Sequence, residues 1–361
     1  MAKKFKFYNK RLLNKVFLYH LLFFGIYFTY ASFNPSDSHH YYLRALNFNG
    51  DISELFKSGT NFIIYLAYPF VQLGCSYFSM MLLFSWMGYL GFLYAYVFFR
   101  ENIGVSVKVF GKYDLLTLLL FLPNMHFWSA SLGKGSVIFM GLMMMAYAVK
   151  SPTKRVLPLL VGAFFVYMVR SHMLLFVIVG VIFGVFFGKD QKLGKGAKVL
   201  LILAGIAFLS FGLKTVLGVA QLEGSENVVE DFQQFSNTRA LELSKSGSGL
   251  DMSSYPLPLK LFTFWFRPLF VDSPGALGLF SSFENLIYLL LFAKIVNKRF
   301  WRFFKKAPYM VKMGGLTFLL TSVAMTFVMS NLGIIMRQKA QVMYFGFFVI
   351  YYFLAISKNK K

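Results

Sequence analysis

Residues 77–99 form a run of 23 positions without one Asp, Glu, Lys or Arg. As a helix rising 1.5 Å per residue such a run covers about 35 Å, enough to cross a hydrocarbon core about 30 Å thick. Further apolar stretches lie near 16–33, 114–128, 132–149, 156–169, 173–188, 199–220, 278–296, 313–330 and 341–356. None shows the alternation of short segments that marks a transmembrane barrel. Apolar residues make up 57% of the chain and charged residues 14%, against roughly 45–50% and about 25% in ordinary soluble domains. The expected fold is therefore all-α: a polytopic integral membrane protein of about ten transmembrane helices, one transmembrane domain over residues 1–361. A soluble globular enzyme is excluded. Residues 61–73 carry Pro69, and residues 257–271 carry Pro258, Arg267 and Pro268; both read as re-entrant or interfacial helices rather than spans.

The net charge of +23 has a distribution that gives it a meaning. Residues 1–15, 100–113, 150–155, 189–198, 294–312 and 358–361 hold 26 of the 37 Lys and Arg side chains. With ten crossings these six segments fall on one side, and the positive-inside rule makes that side cytoplasmic. Both termini are then cytoplasmic, in the cell (inner) membrane, and residues 16–33 read as a retained first helix rather than a cleaved signal. Basic loops of this kind orient a membrane protein, so nucleic acid is not an expected partner.

The remaining polar residues converge on the opposite, extracytoplasmic side. They are Asp37, His39, His40, Tyr41 and Arg44; Asn124, His126, Trp128, Ser129, Ser131 and Lys134; Arg170 and His172; Arg267, Asp272 and Glu284; and Asn331 and Arg337. Ionisable groups at membrane depth are costly and are functional candidates by default. Between Arg155 and Lys189 lie 33 residues that must rise, turn at Arg170-Ser171-His172 and return, leaving about 22 Å per arm. The turn is thus expected below the outer interface, in a funnel open to the outer leaflet. The 114–149 hairpin is expected to break at Pro123-Asn124 and to resume after Gly133-Lys134-Gly135. His20, among Leu and Tyr, reads as a packed, hydrogen-bonded residue, and Gly180, Gly184 and Gly188 as a close-packing seam.

Other signals are negative. Ser131-Leu-Gly-Lys-Gly-Ser136 lacks the leading Gly of a phosphate-binding loop. HExxH, CxxC and GxSxG are absent, and the single Cys75 forms no internal disulfide. Neither a cofactor nor a metal is expected, although His39 and His40 beside Asp37 resemble ligands in composition. Residues 221–256 are the long polar segment, read as an extracytoplasmic loop or lid with a short amphipathic helix.

Asp37 after the first helix, the run Leu122-Pro-Asn-Met-His-Phe-Trp-Ser-Ala-Ser-Leu-Gly-Lys134, Arg170-Ser-His172, Arg267-Pro268, Glu284-Asn285 and Asn331-x-Gly333-x3-Arg337 together resemble the polytopic polysaccharide polymerases (Wzy-like) and GT-C-like glycosyltransferases of bacterial surface-glycan clusters. The resemblance implies a GT-C-like fold and an acidic catalytic residue in the first external loop, which falls on Asp37. It also implies functional external arginines, which fall on Arg170 and Arg337.

The expected activity is transfer or polymerisation of sugar units from a polyprenyl-(di)phosphate-linked donor to a glycan acceptor at the extracytoplasmic face. Lys134, Arg170, His172, Arg267 and Arg337 would meet the phosphate, because guanidinium and ammonium groups complement the charge on the leaving group. Asp37 or His126 would take the acceptor proton, and Trp128 and Tyr41 would offer faces to sugar rings. Membrane lipid and other glycan-assembly proteins are the further partners. A flippase for a lipid-linked sugar would need cytoplasmic binding groups, and a membrane-bound O-acyltransferase, built on His126 and Asn124, a polar inner vestibule.

Overall fold

In a computed structural model the described residues are 7–189, 193–219, 227–245, 248–252, 254–273 and 275–358. The chain is all-α, 79% helical, and packs as two compact units, Met1–Ser171 and His172–Lys361. Among the described residues six helices are long and apolar enough to cross a bilayer, which marks the chain as a helical membrane protein.

The first unit opens with α1 (Lys10–Phe33), α2 (Asp37–Leu46), α3 (Thr60–Gln72) and α4 (Tyr77–Asn102). Side-chain caps set their starts: Asn9 accepts from Leu12 N, Ser36 from Ser38 N and Ser76 from Ser79 N. Such caps satisfy amides that the first turn leaves without partners. A two-stranded hairpin, β1 (Lys108–Val109) and β2 (Tyr113–Asp114), follows, turning through Phe110 and Gly111 at positive φ. Next come α5 (Leu115–Leu120), α6 (Pro123–Ser129) and α7 (Lys134–Val149). α1 and α4 run antiparallel, with Tyr89 Oη on Leu13 O at 3.1 Å near one end and Phe24 against Phe78 near the other. α6 lies close to both α4 and α7 because glycines leave the space. A Cβ at Gly88 would fall 2.1 Å from Ser129 O, and one at Gly135 2.0 Å from Trp128 O.

α8 (Val156–Phe187) is interrupted at Arg170, whose φ of −155° and ψ of 84° lie outside the helical region. Its first arm belongs to the first unit and its second arm to the second. In the second unit α8 is followed by α9 (Lys195–Val219), α10 (Val228–Ser244), α11 (Leu257–Phe266), α12 (Gly275–Ala293), α13 (Lys298–Lys305), α14 (Tyr309–Val328) and α15 (Leu332–Lys358). The glycine seam lies against α14: a Cβ at Gly180 would fall 2.2 Å from Thr317 Oγ1 and one at Gly184 2.6 Å from Tyr309 O. Trp265 of α11 fills the space beside α14, stacking on Phe318 and donating to Ser322 Oγ at 2.9 Å.

Several boundaries differ from the sequence expectation. Among the described residues six helices qualify as spans, against the ten crossings expected over the whole chain. Pro123 divides 114–128 into α5 and α6 as expected, α7 has 16 residues, and the expected break between the two arms lies at Arg170, where the backbone leaves the helical region. The 61–73 stretch falls on the 13-residue α3 (Thr60–Gln72) and the 257–271 stretch on the 10-residue α11 (Leu257–Phe266), about 20 and 15 Å long. The loop expected after the first helix is α2, and α15 begins at Leu332, so Arg337 lies within a helix rather than in a loop. Of the 221–256 segment, α10 is ordered as a helix capped by Asn227. Glu226 lies outside the described residues.

Candidate functional site

One end of the first unit collects five of the candidate side chains. Asp37 is the first residue of α2 and is exposed. A chain of hydroxyls fixes its position: Tyr27 to Ser36 at 3.1 Å, Ser36 to Ser38 at 2.7 Å, and Ser38 to Tyr77 at 2.8 Å. His39 stacks on Tyr77, and Tyr42 donates to Cys75 O. The ring of Tyr27 also packs on Trp128, at 6.3 Å between centroids. Tyr41 is buried, with its ring beside Gly133, so α2 is held against the start of α7, where Lys134 stands. Trp128 and Lys134 are half-buried.

Arg170 belongs to the same end. α7 and the first arm of α8 run antiparallel, since Arg155 sits over the Tyr147 ring at 3.9 Å and Gly162 meets Gly141. Counted from the Gly141/Gly162 contact, Lys134 and Arg170 both lie about 11–12 Å along in the same direction. Met168 O accepts from Gly59 N at 2.7 Å, which braces the first arm just before the break. The site is thus a carboxylate, an indole, an ammonium and a guanidinium on elements fixed by capping and by glycine contacts.

The opposite end of this unit has another character. Arg155 makes a two-pronged ion pair with Glu101, at 2.5 and 2.7 Å, and donates to Tyr147 O. Asp114 caps α5 through Thr117 N and accepts from Ser106 Oγ at 2.5 Å. Partial burial works to raise the Asp114 carboxyl, but the hydrogen bonds from Ser106 and Thr117 and the Arg100 charge outweigh it and hold it below its ordinary value.

His126 does not join the exposed cluster. It is 0% exposed, with Nε2 at 2.8 Å from Leu120 O and Nδ1 at 3.0 Å from His20 Nδ1. His20 in turn places Nε2 at 2.9 Å from Ser85 O. Both rings sit among aromatics, with Phe92 stacked on His126 at 3.9 Å. His20 and Ser85 also line a groove of about 470 Å³ between α1 and α4, walled by Phe17, Phe78, Leu82 and Trp86.

In the second unit the polar centre is Lys339, which sequence reasoning did not single out as a site residue. It is 0% exposed, and its ammonium donates to Asn285 Oδ1 at 2.6 Å, Arg267 O at 2.7 Å and Trp265 O at 3.5 Å. Glu284 accepts from Tyr288 Oη. Arg267 is ion-paired with Asp272, which also accepts from Leu269 N at 2.5 Å. Arg337 is half-exposed and, two residues from Lys339, points about 200° away around the helix. His172 packs edge-on to Phe176. The signal that could have found Lys339 is a Lys inside a long apolar helix with an Asn and a Glu on another helix to receive it. Among the described residues no group of three His, Cys, Asp or Glu side chains could hold a metal ion.

Comparison of the chain with known protein families, with curated proteins and with solved structures finds no match.

Proposed function

We propose that the protein is a membrane glycosyltransferase or polysaccharide polymerase, transferring sugar units from a polyprenyl-(di)phosphate-linked donor to a glycan acceptor at the extracytoplasmic face. The observation that carries the reading is the gathering of Asp37, Trp128, Lys134 and Arg170 at one end of the first unit. The charge distribution supports its orientation: the opposite end holds Arg100, Lys150 and Arg155, which the positive-inside rule assigns to the cytoplasm. In the full topology this corresponds to about ten crossings in a GT-C-like arrangement, with both termini cytoplasmic.

Each residue has a task in such a reaction. As the glycosidic bond to the donor phosphate breaks, negative charge builds on the leaving oxygen. Lys134 and Arg170 stabilise that charge, Arg170 through its planar fork. The acceptor hydroxyl loses its proton as it attacks the anomeric carbon, and the Asp37 carboxylate accepts it. The half-buried face of Trp128 suits a sugar ring, while Tyr41, being buried, holds α2 in place rather than touching substrate. His126 is enclosed and has both nitrogens engaged, so Asp37 is the base in this reading.

The test uses purified protein in lipid with a lipid-linked sugar donor. Asp37→Asn keeps the shape and removes the base. Transfer is expected to fall at least about tenfold while donor binding stays near the parental value. Transfer at the parental rate removes Asp37 from the mechanism. A parent that binds the donor and moves it across the bilayer without forming a glycosidic bond is a flippase instead.

A further inference from the structure

The His20/His126 pair poses a problem of hydrogen counting. A carbonyl oxygen only accepts, so the contacts of His20 Nε2 with Ser85 O and of His126 Nε2 with Leu120 O require a hydrogen on each Nε2. A neutral imidazole carries one N–H. If both rings are neutral, both Nδ1 atoms are bare acceptors whose lone pairs face each other at 3.0 Å. If one Nδ1 instead carries its ring's hydrogen, the Nε2 of that ring turns a lone pair toward a carbonyl oxygen. Each neutral arrangement leaves one of the three short contacts repulsive.

We propose that His20 and His126 form a proton-binding site: the two rings share one added proton between their Nδ1 atoms. Three ring hydrogens then serve four nitrogens, with a net charge of +1 on the pair. The result is a continuous chain, Ser85 O to His20 to His126 to Leu120 O, that ties α4, α1 and α6 to the end of α5. The burial cost of the charge is offset by charge-assisted hydrogen bonds at both ends. The faces and edges of Phe92 and the edge contact of Tyr19 surround it. Loss of the proton opens one link of the chain, so occupancy and packing are coupled.

The groups that face the pair can be named element by element. α1 supplies Tyr19, edge-on to His126, and α4 supplies Tyr89, 6.4 Å from His20 with its hydroxyl donated to Leu13 O. The sequences of α5 and α6 contain no other ionisable side chain. α7 approaches through Phe139 against Phe92, and its ionisable Lys134 and Tyr147 stand toward its two ends.

The experiment is nitrogen-15 NMR on protein with labelled histidine, in lipid, from about pH 5 to pH 8. The expected result is a scalar coupling between the two Nδ1 nuclei through the shared hydrogen, lost in His126→Asn. Absence of the coupling, with both rings neutral wherever the protein is folded, overturns the site. Thermal unfolding gives an independent reading. Unfolded histidines titrate near about pH 6.5. Between that value and the pH at which the folded pair releases its shared proton, the folded pair holds one proton more than the unfolded pair, so stability falls as pH rises. Well below it the unfolded pair holds one more, so stability falls as pH drops. The parent is expected to show a maximum near about pH 6.5 on this count. His126→Asn offers His20 a neutral donor and should lose the decline on the alkaline side. Identical alkaline limbs in parent and variant also overturn the proposal; if the variant does not fold, the coupling in the parent decides. Neither measurement depends on glycosyl transfer.

Discussion

Two buried basic centres, one in each unit, solve the same problem in opposite ways. Lys339 brings three N–H donors to three oxygens, on Asn285, Arg267 and Trp265. Three hydrogens on the ammonium meet three oxygens, so donors and acceptors balance. His20 and His126 bring four ring nitrogens to two carbonyls and to each other, and the balance closes only with one proton more than two neutral rings carry. An ammonium meets three acceptors with the three hydrogens it already carries. Where the partners are other histidines, the charge becomes conditional on pH.

The contrast can be broken most forcefully at Lys339. Lys339→Met leaves three buried acceptors without their donor, and at about 1–3 kcal/mol for each buried group left unpaired the loss is expected to be the largest of the series. Unfolding in detergent followed by the emission of Trp265, whose carbonyl contacts Lys339, measures it; a loss of a few tenths would mean the ammonium is dispensable. A smaller effect is expected for Asn285→Ala, which removes one acceptor and leaves the cation in place. About 1–3 kcal/mol is the usual penalty for a buried group left with an unmade hydrogen bond. If it equals the Lys339 effect, the node acts as one indivisible network.

The smallest effect is a control of sign at the far end of the first unit. Asp114→Ala removes the α5 cap and should cost about 1 kcal/mol at neutral pH. Because the folded carboxyl is held below its ordinary value, by hydrogen bonds and Arg100 acting against partial burial, its contribution is complete above the unfolded value. It is lost as pH falls through the folded value. The parent and Asp114→Ala should therefore converge in acid, the reverse of the alkaline decline expected from the histidine pair. Curves that stay parallel into acid would show that the cap works without its charge.

The sequence made the long apolar helices legible, since runs such as 77–99 and 313–330 need no tertiary context to declare themselves. It also marked the break at Pro123 and the glycines at 180, 184 and 188. α2 escaped because Asp37–Leu46 is a short, polar helix whose start depends on the Ser36 cap. The start of α15 escaped because two charged residues, Arg337 and Lys339, precede the apolar run 341–356, and only in the structure do Trp265, Arg267 and Asn285 supply oxygens for the ammonium. His20 reads correctly as packed, but its partner lies 106 residues away, beyond any periodicity. The exposed cluster was half legible: its residue types stood out, whereas only the Tyr41 contact with Gly133 and the antiparallel pairing of α7 with α8 bring Asp37, Lys134 and Arg170 to one end.

The interruption of α8 has an electrostatic consequence of its own. A helix that stops at residue 169 presents the negative pole of its macrodipole there, equivalent to about half an elementary charge. Gly59 N covers one carbonyl of that terminus, at Met168, and the next side chain in sequence is the guanidinium of Arg170. A cation in that place is stabilised by the backbone by about 0.3–1 kcal/mol. The guanidinium thus lies next in sequence to a backbone terminus of opposite partial charge.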